Sequence, residues 1–346
     1  MGSGPGSGAV DWHTHAVSPD LEAPDRQDAD YAWPVAERVD ATRATMWVGR
    51  RRYREIDDRC WSASRRIADM DAEGVAVQVV SPMPVTLCHD APPGGAAALA
   101  RAQNEFFAAL VAEAPDRFRA LGAVPLQDVD AAVAELRRCV LELGFPGVEV
   151  GTRVGPLELA DPSFDPFFEA ADELGAVVFV HPVDETLDPR LAAMGVAFGA
   201  GMPNETAVAG AGLLTAGTLV GRPDVRVCLA HGGGALPAIL PRVTKGQNIA
   251  AAAAGRGPVP EADTALARAG RLWADSLTYD ATSLRLVLDR FGEGHVVLGT
   301  DYPFAAREAP AGAVLHDLDP SLGARISAVN GETLMTRTTA GELEPR

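Results

Sequence analysis

The chain has 346 residues, within reach of a single large barrel, and its 47% of hydrophobic residues can fill a sizeable core. It carries 47 Asp plus Glu against 30 Lys plus Arg, a formal net charge of -17. That balance argues against nucleic acid and against anionic membrane as partners, because both need a basic face; a small anionic substrate would need locally clustered arginine.

Met1 to Gly8 is rich in Gly, Ser and Pro, with neither a charged start nor an apolar run. It reads as a flexible leader and not a signal peptide. The first predicted strand, Ala9–His15, contains Val10-Asp11-Trp12-His13-Thr14-His15 and ends in two histidines. Residues two apart on a strand face the same side, so His13 and His15 can share one metal ion. Residues 16–60 then leave the pattern in a polar excursion rich in Asp and Arg. An excursion of this length, leaving the end of a barrel strand, reads as an insertion that covers the site. It contains Arg50, Arg51, Arg52 and Arg54.

Further strands are predicted at Val75–Pro82, Ala120–Leu126, Gly147–Gly151, Ala176–His181, Val225–His231, Ser276–Asp280 and Val296–Asp301. Helical runs lie between them, at Ser62–Glu73, Ala97–Ala114, Val129–Leu143, Pro162–Leu174, Glu205–Thr218, Ala235–Ala251 and Ser283–Phe291, with a last one near Pro320–Asn330. Most of the strand runs are continuously apolar, as parallel strands buried on both faces are. The repeated strand–helix unit predicts an α/β chain folded as a (β/α)8 TIM barrel: one domain over residues 9–335, with 336–346 as a tail. A doubly wound open sheet would not by itself gather side chains from strands one, five, six and eight. No apolar run approaches the roughly 20 residues of a membrane helix. Cys60, Cys88, Cys139 and Cys228 lack CxxC spacing and read as reduced core thiols of a cytoplasmic protein.

The polar residues that close these strands carry the chemistry. His181 ends Val177-Val178-Phe179-Val180, His231 ends Val227-Cys228-Leu229-Ala230, and Asp301 ends Val297-Leu298-Gly299-Thr300. Glu149 sits inside the short fourth strand. Barrel active sites lie at the C-terminal ends of the strands. Any one of these histidines alone would read as structural. Four histidines and an aspartate all closing apolar strands would not, because buried His and Asp need partners or a metal to offset desolvation. His13, His15, His181 and Asp301 form a nitrogen and oxygen ligand set suited to Zn2+, with other divalent ions such as Mn2+ also accommodated. With water in an open position such a site is catalytic, and His231 is left as the general base or acid. Gly232-Gly233-Gly234 allows close backbone approach and can present N–H groups to an anion. It lacks the Gly-Lys-Ser/Thr ending of a nucleotide loop. His89, His295 and His316 lack this context and read as ordinary.

The ordered set of motifs resembles a known family. Asp11-Trp12-His13-Thr14-His15, His181-Pro182-Val183-Asp184, Gly201-Met202-Pro203-Asn204-Glu205-Thr206, His231-Gly232-Gly233-Gly234 and Gly299-Thr300-Asp301-Tyr302-Pro303-Phe304 are similar to the amidohydrolase superfamily, in the branch of 2-amino-3-carboxymuconate-6-semialdehyde decarboxylase. Further matches are Met70 to Val75, Pro115 to Phe118 and Val124 to Asp128, so the resemblance runs from about Val10 to Asn330. It implies a zinc-dependent, oxygen-independent carbon–carbon decarboxylase on a distorted barrel, with the same four ligands and His231 as the catalytic histidine. It also implies that Arg54, in Tyr53-Arg54, binds a substrate carboxylate. Arg242, in Leu240-Pro241-Arg242-Val243, is implied to come from the neighbouring subunit of a homodimer.

Two departures from the family concern the pocket wall. Val183 stands where the decarboxylase carries Trp, and Ala-Ala-Met-Gly-Val-Ala-Phe198 replaces an aromatic-rich run, so Phe198 is the aromatic expected against the substrate. A small aromatic or muconate-semialdehyde-type carboxylic acid is therefore the expected substrate class. Glu149 replaces a neutral residue; in other branches a carboxylate on that strand bridges two metals, and here it reads as a hydrogen-bonding support. The alternative function is metal-dependent hydrolysis of an amide, lactone or ester by the same water. A catalytically dead barrel is disfavoured because every expected ligand position is filled.

Overall fold

The computed structural model describes residues 8–24, 30–184 and 187–336. The predicted leader, except Gly8, and the predicted tail, except Thr336, lie outside these residues. In chain order the strands are β1 (Ala9–Ala16), β2 (Pro34–Arg38), β3 (Arg43–Val48), β4 (Arg51–Asp57), β5 (Val75–Pro82), β6 (Phe118–Ala123), β7 (Gly147–Gly151), β8 (Arg153–Val154), β9 (Leu157–Glu158), β10 (Val177–His181), β11 (Arg226–Leu229), β12 (Leu272–Asp275) and β13 (Val296–Val297). The apolar runs build an 8-stranded sheet in the order β1-β5-β6-β7-β10-β11-β12-β13, with parallel pairing. Its two edges meet through the backbone: Trp12 N–H donates to Leu298 O at 2.8 Å, Asp301 N–H to His13 O at 2.8 Å and His15 N–H to Tyr302 O at 2.7 Å. The sheet is thus a closed (β/α)8 barrel.

The helices are α1 (Ala63–Glu73), α2 (Pro93–Glu113), α3 (Val129–Leu141), α4 (Asp165–Glu173), α5 (Pro189–Ala193), α6 (Met202–Ala216), α7 (Leu236–Ala253), α8 (Ala265–Arg268), α9 (Ala281–Phe291), α10 (Pro320–Ala324) and α11 (Asn330–Met335). Local signals bound them. Ser62 Oγ accepts the Arg65 N–H ahead of α1, and Gly74 ends that helix at φ 74. Apolar stripes carrying Met70, Phe107, Leu136, Phe168, Leu213 and Val287 share one core with the sheet. Among the described residues no helix is long and apolar enough to cross a membrane.

Several strand ends differ from the sequence expectations; the eighth strand, Val296–Val297, stops short of Asp301, and the sixth, Arg226–Leu229, stops short of His231. The seventh strand is Leu272–Asp275, not Ser276–Asp280. Leu272 pairs with Val227, while Tyr279, inside the predicted span, has a positive φ of 57 that no strand residue adopts. Within the excursion after β1, β2, β3 and β4 form an antiparallel sheet. Its Trp33, Ala44, Met46 and Ile56 share a buried cluster with Met83 and Leu99 of the barrel. The insertion therefore docks through a core of its own.

Under the first strand lies a buried cation. Arg66, at 0% exposure, donates from Nε to Gln78 Oε1, from Nη1 to the carbonyls of His15 and Arg59, and from Nη2 to Thr14 Oγ1, each at 2.9 Å. Its guanidinium also stacks 4.9 Å from the Tyr302 ring. Arg66→Ala would strand these acceptors and open a void, so it is expected to lower the unfolding free energy by about 3 kcal/mol. Urea denaturation of the whole chain measures this, and a loss under about 1 kcal/mol would contradict the strut role.

Candidate active site

The site grows from an irregularity in β1, whose register with β5 shifts between Asp11 and Thr14. There His13 and His15 turn their Nε2 atoms to within 3.1 Å of each other. Asp11 locks the neighbouring segment, accepting the Thr300 hydroxyl at 2.6 Å and the Thr300 N–H at 3.1 Å. That fixes Asp301, at φ 63, with Oδ1 at 3.3 Å from His15 Nε2 and 3.8 Å from His13 Nε2. His181, at the end of β10, brings its ring to 5.0 Å from those of both His13 and His15.

The tautomers decide what this cluster can bind. His15 Nδ1–H donates to Pro82 O at 2.7 Å and His181 Nδ1–H to Pro182 O at 2.6 Å. Each ring then offers an Nε2 lone pair, and that of His181 is buried without a partner. His13 Nδ1 is held by Asp275 Oδ2 at 2.6 Å. One ligand atom from each of His13, His15, His181 and Asp301 lies within 4.8 Å of the others. Converging imidazole lone pairs beside a buried carboxylate fit a divalent cation.

Electrostatics agree with that geometry. Burial alone would depress the His13 imidazole, but the hydrogen bond and charge of Asp275, with Asp301 and Glu149, lift it to about 9. Burial holds His15 below its ordinary value, and His181 well below, with neighbouring imidazoles pushing His181 further. Asp301 stays ionised below the usual range although burial opposes it, because His15 and His13 face it.

His231 follows β11 at φ 58, with its ring 5.1 Å from His13 and 4.9 Å from His181. Its Nδ1 is buried without a hydrogen bond, and burial with the nearby His13 charge pushes the imidazole down to about 4. The glycines behind it do not present an anion hole to a ligand. Gly232 N–H donates to Asp275 Oδ1 at 2.9 Å, Gly233 N–H to Ala230 O at 3.1 Å and Gly234 N–H to His231 O at 2.9 Å. Their lack of side chains serves close packing: at Gly234, φ +61, a Cβ would lie 2.2 Å from Pro203 O.

Asp275 is the residue that sequence reasoning missed. Besides His13 it accepts the backbone N–H groups of His231 at 2.9 Å and Leu277 at 3.0 Å. The run Leu272-Trp273-Ala274-Asp275 has the same apolar-then-acid form as the run ending at Asp301, but it was hidden by placing the strand four residues late. Glu149, fully buried in β7, is pushed up to about 8 by burial, against the pull of Ser81 and His13. Its Oε2 lies 3.9 Å from His15 Nδ1, the side of that ring away from Asp301.

His15, His181, Asp301 and His231 open onto a cavity of about 450 Å³, whose wall also includes Arg54 and Phe198. Arg54 comes from β4 and lies between the rings of Tyr53 and Phe304, 4.6 Å from each. Phe198 belongs to a π-helical turn, Ala197–Gly201, that leads into α6. Arg242 is exposed on α7 and does not line the cavity of its own chain. Nor do His89, His295 and His316. All four cysteines are buried and free.

Comparison with known proteins places this arrangement. The model of the amidohydrolase family matches residues 10–325. The 2-amino-3-carboxymuconate-6-semialdehyde decarboxylase of Dictyostelium discoideum is 34% identical over 310 residues, covering 89% of this chain and 85% of that protein. The enzyme of that name from Caenorhabditis elegans is 32% identical over 389 residues, covering 97% and 94%. Among solved structures, a dihydroxybenzoic acid decarboxylase of Polaromonas sp., with bound manganese and the inhibitor 2-nitroresorcinol, aligns at a TM-score of 0.72 and 22% identity, covering 95% of this chain and 97% of that one. The chain belongs to the amidohydrolase family, in the branch of 2-amino-3-carboxymuconate-6-semialdehyde decarboxylase.

Two outcomes follow from the His13–Asp275 bond. Asp275→Asn is expected to weaken Zn2+ affinity about 10- to 100-fold in chelator competition while far-UV circular dichroism is unchanged. In the wild type, metal must expel the proton that His13 holds below about 9. Affinity should then rise about tenfold per pH unit from pH 6 to 8. Calorimetry in buffers of different ionisation enthalpy should count the released proton. A pH-independent affinity would rule out a protonated His13 in the metal-free site.

Proposed function

We propose that this chain is a metal-dependent, non-oxidative decarboxylase of a small aromatic or muconate-semialdehyde-type carboxylic acid, and that its metal is zinc. The observation that carries this reading is the opening of Arg54 onto one cavity with His15, His181 and Asp301, three of the four members of the candidate metal cluster. The likeness to named decarboxylases over most of the chain supports it. The donor set of three imidazoles and one carboxylate favours zinc, while the manganese of the Polaromonas structure makes that ion the second to test. A divalent cation on His13, His15, His181 and Asp301 would supply Lewis-acid polarisation of a substrate oxygen or of water.

The chain's own residues account for the rest. Arg54, held flat between two rings, binds a substrate carboxylate through charge-assisted hydrogen bonds. Phe198 bounds the ring or diene. The carbon–carbon bond to the departing CO2 breaks heterolytically, its electron pair staying on the substrate carbon, where a conjugated acceptor spreads it. His231 takes a proton from solvent and delivers it to that carbon, so the reaction needs no oxidant. Arg54 on the cavity wall leans toward decarboxylation over hydrolysis, and Glu149, on the Nδ1 side of His15, favours the support role over bridging a second ion.

The proposal extends to assembly and setting. The exposed position of Arg242, beside the exposed apolar Ile239 and Ile249 on α7, supports a homodimer in which Arg242 of a second copy completes the site. Residues 9–335 then act as one barrel domain, with 16–60 as the insertion that carries the anchor. Four buried, unpaired cysteines support a reducing, cytoplasmic setting.

The test is a panel of aminomuconate semialdehyde, hydroxybenzoate and related acids, incubated with zinc- or manganese-loaded protein while CO2 is followed. One metal per chain with CO2 release is expected; two metals per chain with hydrolytic products and no CO2 would make the protein a hydrolase. His231→Ala should lower kcat by about 10²- to 10⁴-fold with metal content unchanged. A near wild-type rate would remove His231 from its role.

A further inference from the structure

We propose that Tyr53 positions the carboxylate anchor: held by Asp184, its hydroxyl engages one side of the Arg54 guanidinium and leaves the other N–H groups for the substrate. This rests on the reading of Arg54 as that anchor. Neighbouring residues on a regular strand point to opposite faces. Tyr53 and Arg54 nevertheless both line the cavity. The pairing of β3 with β4 explains it. Met46 is opposite Arg54 and Trp47 is opposite Arg52, so Tyr53 is an extra residue, a β-bulge. The bulge brings the phenol alongside the guanidinium.

The contacts form a relay. The Tyr53 hydroxyl donates to Asp184 Oδ2 at 2.5 Å and accepts from Arg54 Nη2 at 3.1 Å. Asp184 is 3.7 Å from Arg54, beyond a direct hydrogen bond, so the hydroxyl bridges the two. Asp184 lies three residues after the ligand position His181, so the relay also ties the insertion to the loop that follows β10. On the far side of Arg54, Phe304 stacks on the guanidinium at 4.6 Å and on His15 at 5.4 Å with an interplanar angle of 22°. Tyr53, Arg54, Phe304 and His15 thus form a column of planar groups that sets how far a bound carboxylate sits from the metal ligands. The Arg54 side chain is 33% exposed, so without the hydroxyl it would sample rotamers that miss the carboxylate.

Tyr53→Phe keeps the ring stack and deletes only the hydroxyl. The probes are 2,6-dihydroxybenzoate and resorcinol, the same ring without a carboxylate, titrated calorimetrically into zinc-loaded full-length protein. We expect Tyr53→Phe to raise the Kd of the acid about 5- to 20-fold and to leave resorcinol within twofold. We also expect it to have no further effect in an Arg54→Gln background. An acid Kd within twofold of wild type, an equal loss for resorcinol, or full additivity with Arg54→Gln would each overturn the relay. If Arg54→Gln alone leaves the acid's affinity unchanged, or wild type binds acid and resorcinol equally, the anchor reading itself fails. Metal content and circular dichroism, unchanged in Tyr53→Phe, separate these results from misfolding.

Discussion

The mouth of this barrel depends on one carboxylate, that of Asp275. It holds His13 Nδ1 at 2.6 Å, and its two oxygens accept the backbone N–H groups of His231 and Gly232 at 2.9 Å. A side chain at the end of β12 therefore sets the orientation of His13 on β1 and the backbone of the loop after β11. The bond fixes which His13 nitrogen faces the other ligands, and it raises that ring's basicity. The same oxygens fill the backbone donors of the turn at His231, which holds a positive φ of 58. Strain at His231 is thus offset by bonds to the group that orients His13.

The rest of the barrel keeps that arrangement rigid. Arg66 supports the β1 backbone from below at His15 O, while Asp11 ties β1 to Thr300, next to Asp301. Both polar groups are almost wholly buried and both are bonded, so their desolvation is compensated by partners that only this closure of the sheet supplies. Burial keeps His15 and His181 neutral, while Asp275 raises His13 and the facing imidazoles keep Asp301 ionised against it. A cluster of neutral imidazoles around one ionised aspartate and one raised His13 is a state that a divalent cation could bind with proton release.

Strand-closing histidines and Asp301 were legible in the chain because the signal is local: an apolar run, then a polar stop. The same rule applied at Asp275 but failed. β12 has only four residues, and the apolar Leu277 and aromatic Tyr279 in the following loop drew the predicted strand past its true end. Arg66 was illegible for a different reason. A helical arginine ordinarily reads as solvated, and its burial is decided by acceptors brought in by tertiary closure. The β2–β4 sheet of the insertion was also hidden, because the polar composition around it masks Ala44 and Met46, two apart on one strand face. The bulge at Tyr53 has no local sequence signature at all; it follows from pairing with β3.

The charge of the chain returns at the cavity wall. On a protein with a formal net charge of -17, an uncommitted arginine is a favourable place for an anion. Among the described residues the arginines lining this cavity are Arg54 and Arg59. Arg59 is committed: its Nε and Nη2 donate to Asp57 at 2.8 and 2.6 Å, a fork that matches a carboxylate's two oxygens. Arg54 meets its acid, Asp184, at 3.7 Å and through a hydroxyl, so most of its donors remain for a ligand. The two nearby arginines thus differ in how they are partnered, and the partner of Arg54 is set by the bulge that turned Tyr53 inward.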